Sequence, residues 1–64
     1  MTKFIKTIEN EYININNIQM LKVVKLNNHF CIRAKLEGSY YIINKYRNKK
    51  RAVNQLSNLI NSFN

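Results

Sequence analysis

Five cations fall within seven residues: Lys45, Arg47, Lys49, Lys50 and Arg51. Side chains of this type at this density hold phosphates, because each neutralises a charge and releases a condensed counterion. The cluster straddles the start of a predicted helix, whose N-terminal end already carries partial positive charge. Cations there cost about 0.3–1 kcal/mol each at low ionic strength. A sequence optimised for stability alone would carry Asp or Glu in these places. The arrangement is therefore read as a seat for an anion, held by side chains, helix dipole and first-turn N–H groups together. The plainer reading is a solvated basic surface that keeps a small chain soluble.

Other chemistry has few candidates. Glu9, Glu11 and Glu37 are the only carboxylates, and all three fall in or beside predicted turns, with no convergent pair for acid–base catalysis. His29 and Cys31 share a strand face, but such neighbours are roughly 6.5–7 Å apart, and no third group orients them as a nucleophile and base. A zinc site would need two ligands from a second chain. One glycine cannot build a phosphate loop. The expectation is a protein that is not an enzyme and uses no cofactor or metal.

The elements that must position the cations follow from hydrophobic period and turn chemistry. Residues 3–8 and 12–15 read as strands of a first hairpin, joined by the polar turn Glu9–Glu11, with Asn16 and Asn17 making the next bend. Residues 18–26 read as a third strand whose alternation slips at Val23 and Val24, which implies either a bulge or two covered faces. In the fourth strand Phe30, Ile32, Ala34 and Leu36 alternate with Cys31, Arg33, Lys35 and Glu37. A two-residue turn at Gly38 sets Tyr41 and Ile43 on Ala34's face and leaves Tyr40, Ile42, Asn44 and Tyr46 beside Arg33 and Lys35; a three-residue turn would swap the two sets. Asn48 is the expected N-cap of a final helix. Its apolar stripe is Ala52, Val53, Leu56, Leu59, Ile60 and Phe63. The expected fold is α+β: a four- to five-stranded antiparallel sheet of hairpins, covered on one face by the C-terminal helix, in a single domain spanning residues 1–64.

Composition narrows the partners. Eleven Lys+Arg against three acids give a formal net charge of +8 in 64 residues, and 45% of the chain is hydrophobic. So short a chain buries only about 60% of its unfolded surface and usually needs further support; one cysteine allows no internal disulfide, so a homodimer is expected. Twelve asparagines and many Lys, Ile and Tyr match A/T-rich codons, so the Asn count carries little functional weight. The longest apolar run, Tyr40 to Ile43, is far short of a membrane span. With no leader-like stretch at the start, the expectation is a cytoplasmic protein that does not engage a membrane. A membrane-surface helix is disfavoured because its polar face is Asn and Ser rather than basic.

The run Asn10 to Ile18 (NEYININNI), the hairpin LEGSYYI and the ending YRNKKRAVNQLSNLI resemble short uncharacterised α+β proteins of phages and plasmids in low-GC bacteria. The resemblance spans most of the chain through loose motifs and implies a mobile-element origin. Members of that group often have acids in the link before Ala52, where Lys49, Lys50 and Arg51 stand here. The layout also looks like small basic archaeal chromatin proteins with an SH3-like fold, without residue-by-residue correspondence; that likeness implies only that such an architecture can bind duplex DNA. The expected partner is nucleic acid, DNA or RNA. The expected contacts are Arg33, Lys35, Lys45, Arg47, Lys49, Lys50 and Arg51 on phosphates, with Tyr40 and Tyr46 stacking on bases or sugars. A competing helix-borne surface, Lys50, Arg51, Asn54, Asn58 and Asn61, is disfavoured because it is neutral beyond Arg51. The alternative is a phage-type inhibitor or adaptor that binds a host protein.

Overall fold

A computed structural model describes residues 3–63. The elements run β1 (Phe4–Lys6), β2 (Tyr12–Asn14), a single 3-10 turn (Ile15–Asn17), β3 (Met20–Leu26), β4 (His29–Leu36), β5 (Ser39–Tyr46) and α1 (Lys49–Ser62). The architecture is α+β, as the patterning implies. The five strands do not form one sheet, however. β1 and β2 pair with each other, and β3, β4 and β5 form a separate antiparallel sheet in that order.

The reason for the split is local. Asn14 ends β2 and caps the following turn, its side chain accepting the Asn16 N–H at 2.9 Å. The expected continuation of that strand to Ile15 is therefore lost to a helical turn, which redirects the chain before β3. One backbone bond, Ile8 N–H to Ile42 O at 2.9 Å, ties the tip of the first hairpin to β5. At the hairpin's other end, the Lys3 Nζ donates to the Ser62 carbonyl oxygen at 3.0 Å, a cation at the negative end of α1.

The β3–β4 register is unbroken from Met20↔Lys35 to Leu26↔His29. Val23 and Val24 are therefore ordinary neighbours on opposite faces, both half-buried, with no bulge between them. The irregularity lies in β5 instead. Leu36 pairs with Ser39 and Arg33 with Ile42, but Ile32 pairs with Asn44, so Ile43 is an extra residue. Bulges of this kind change which face the residues beyond them occupy. Gly38 closes the β4–β5 turn at φ +74°, where a side chain is strained.

Helix α1 covers the face that carries Ile32 and Ala34. Ile32, Ala34 and Ala52 are all buried, and Ile32, Ile43 and Tyr46 line a cleft with Gln55 and Leu59 of the helix. The helix stripe is narrower than its sequence pattern. Val53 and Ile60 are 46% and 45% exposed, because Ala52, with no bulk beyond Cβ, brings the helix close along a line through Ala52, Leu56, Leu59 and Phe63. In the first hairpin Ile13, opposite Ile5, and Thr7 are buried.

Candidate functional site

The second face of the three-stranded sheet is where the charged residues gather. Directly paired residues of antiparallel strands project to the same side, so the register lays this face out in rows. Met20, Lys35 and Tyr40 form one row, and Lys22, Arg33 and Ile42 the next. Val24, Cys31 and Lys45 follow, and Leu26 with His29 ends the face. Four cations from three strands thus share one sheet face, on which Lys22 and Lys45 are exposed, Arg33 and Lys35 half-buried, and Cys31 buried. Large apolar side chains stand among them: Tyr40 is 57%, Met20 50% and Leu26 45% exposed.

Arg33 and Tyr40 are already organised. The guanidinium carbon lies 4.5 Å from the centroid of the Tyr40 ring, and Lys35 Nζ lies 6.0 Å from it. Such contacts contribute about 0.5–1 kcal/mol at exposed sites. They hold the Arg33 guanidinium over the Tyr40 ring. Lys22 and Arg33 are directly opposite across β3 and β4, with Cβ atoms about 4.5–5.5 Å apart, an unfavourable placement for two like charges.

Of the residues expected to make contacts, Arg33, Lys35, Tyr40 and Lys45 meet on this face. Lys45 arrives there because of the Ile43 bulge, which pairs it with Cys31. The same bulge sends Tyr46 to the helix side, opposite Phe30 and beside Leu59. Tyr46 is thus corrected: it covers the core and does not share a surface with Arg33 and Lys35. Asn44 moves with it, paired to Ile32.

Arg47, Lys49, Lys50 and Arg51 are exposed but belong to the link and first helical turn, behind the open face. Successive helical residues diverge by about 100°, so Lys49, Lys50 and Arg51 fan outwards. The N-cap is Asn48 as expected, and its Oδ1 accepts the Lys50 and Arg51 N–H groups at 2.8 and 3.3 Å. Ala52 N–H is bonded to the Asn48 carbonyl oxygen. These three donors are engaged within the chain, which reduces the free helix N–H groups expected to seat an anion there.

Lys22 is the cation of this face that the sequence reading omits. The signal was present: a two-residue turn at Asn27–Asn28 pairs Leu26 with His29 and, by counting back, Lys22 with Arg33. Asn27 adopts φ +55° in that turn, a conformation Asn tolerates well.

A groove of about 400 Å³ lies between the first hairpin's turn and the rows of this face that carry Ile42, Cys31, Lys45 and His29. Cys31 and Ile42 line it with Leu26, Lys45 stands at it, and Glu9 and Glu11 line the turn side. That turn is well braced: Thr7 N–H donates to the Glu11 carbonyl oxygen at 2.7 Å, and Glu11 N–H donates to the Thr7 Oγ1 at 3.1 Å. Among the described residues no group of three His, Cys, Asp or Glu side chains could hold a metal ion. No helix among the described residues is long and apolar enough to cross a membrane. No family model, no curated protein and no solved structure matches the chain.

Proposed function

We propose that this chain is a small non-enzymatic nucleic-acid-binding protein that lays the open face of its three-stranded sheet on a phosphate backbone. The observation that carries this reading is the convergence of Lys22, Arg33, Lys35 and Lys45 on one face, with the Arg33 guanidinium stacked on an exposed tyrosine. These four cations are the main phosphate contacts. Tyr40 supplies a sugar or base contact, and Arg47, Lys49, Lys50 and Arg51 extend the field behind the face. A role as regulator or accessory factor of a phage or plasmid, in the host cytoplasm, agrees with the small size and the sequence resemblance.

Two cation sets separate the face from the junction. The Lys22→Gln/Arg33→Gln/Lys35→Gln variant should lose at least tenfold in affinity at moderate salt. Replacing Lys49, Lys50 and Arg51 by Ala should cost less, and by the same factor for every sequence tested, since phosphate contacts carry no base information. Equal losses from both triple variants would remove the open face as the contact surface.

One observation favours the second reading, a protein-binding inhibitor or adaptor. Among the described residues β3 pairs only with β4, so its outer edge offers backbone groups to a partner strand, from a host protein or from a second copy. Lys22 and Lys25 on that strand discourage indiscriminate edge pairing and would select an acidic partner. Retention of one host protein after nuclease treatment would favour this reading; loss of all partners would favour nucleic acid. Chain mass in solution tests the homodimer.

A further inference from the structure

The groove takes in the part of the open face next to the first hairpin's turn, and the turn adds carboxylates to it. Two of the three carboxylates in the chain, Glu9 and Glu11, line one side of it. Its floor includes Cys31, 4% exposed, and Ile42. Lys45 and Tyr40 also line it. Its volume is within the usual range for a small-ligand site. Phosphates are repelled from the carboxylate side and drawn to Arg33 and Lys35 next door. The rest of the lining mixes apolar Ile8, Leu26 and Ile42 with polar Thr7, Asn27 and His29, which suits a flat, uncharged ring with hydrogen-bond donors on its rim. A nucleobase has that description.

We infer that the groove seats one unpaired nucleobase of a single strand whose phosphates run over the open face, with Glu9 and Glu11 accepting from the base's amino edge. The inference rests on the nucleic-acid reading and names its ligand class. Carboxylates accept hydrogen bonds and donate none. They favour cytosine N4, adenine N6 or guanine N1 and N2 donors over thymine or uracil, whose edges are mostly carbonyl. A paired base would have to be flipped out at a cost of a few kcal/mol, so single strands are preferred to duplex. The turn carrying the two acids is anchored to β5 through Ile8 and Ile42, which fixes the distance between acceptors and floor.

The test has a sign that simple electrostatics cannot imitate. Wild type and the Glu9→Gln/Glu11→Gln variant are titrated with oligo-dC, oligo-dT and a mixed-sequence duplex at one salt concentration and slightly alkaline pH. The bonds of the turn use Glu11 backbone atoms, so the substitutions leave it intact; a melting curve checks this. Wild type should bind oligo-dC at least about fivefold tighter than oligo-dT, and the duplex more weakly than oligo-dC. In the variant that ratio should fall towards one, while binding to oligo-dT tightens because two negative charges are gone. Equal affinity of wild type for the two strands, or a variant that strengthens both by the same factor, overturns the base seat and leaves the phosphate-binding face standing. Failure of all three oligonucleotides to bind overturns the nucleic-acid reading and this inference with it.

Discussion

Lys22 and Arg33 sit opposite each other on adjacent strands, and like charges so placed destabilise a sheet by about 0.2–1 kcal/mol. Tyr40 offsets part of this by taking the Arg33 guanidinium onto its ring. The pair makes sense if an anion bridges it. Lys22→Gln should therefore separate stability from binding: at low salt the variant melts higher than wild type, while its affinity for nucleic acid falls and its salt dependence loses about one phosphate equivalent. Both quantities come from thermal melts and salt titrations of the same two proteins. A variant that melts lower and binds as before would show that Lys22 serves packing alone.

At the scale of elements, the close approach of α1 to the sheet turns on Ala52, which is fully buried. Ala52→Leu adds volume where helix and strands have no room, and overpacking of this kind typically costs about 1–3 kcal/mol. In a chain of 64 residues that is a large part of the whole stability, and a urea melt should show it as a lower midpoint. Unchanged stability would mean that the helix can lift away freely. The helix, its Asn48 cap and the β4–β5 hairpin were legible because each follows from local rules: a cap residue, a 3.6-residue stripe, a two-residue turn at Gly38. The division into two sheets was not, since it depends on Asn14 capping a turn, a choice that Asn makes equally well in many contexts. The Ile43 bulge was hidden for a different reason. Ile42 and Ile43 are both apolar, so the alternation gives no mark where the parity changes, and Tyr46 and Lys45 exchanged faces unannounced. Val53 and Ile60 misled in the same way, because an apolar stripe in sequence sets the widest possible contact, and a small residue at its centre narrows what is used.

For the whole molecule, a formal net charge of +8 sets both solubility and the character of binding. Self-repulsion of this size is screened over about 10 Å at 0.1 M salt, so the free protein should melt at higher temperature as salt is added, over the same range in which its complexes weaken. The molecule measures 35 × 25 × 19 Å, and its two longer dimensions match about seven to ten phosphates of one duplex strand at 3.4 Å spacing. Contact with about five phosphates is thus within its reach. The most direct measurement of the central claim is the affinity for duplex and single-stranded nucleic acid across a salt series. The account expects log K to fall linearly with log salt, with a slope of about −4 to −5 on duplex and about −3.5 on single strands for five phosphates, and a shallower slope once Lys22, Arg33 and Lys35 are neutral. Tight binding with a slope near zero, or no binding to either form at low salt, would contradict it.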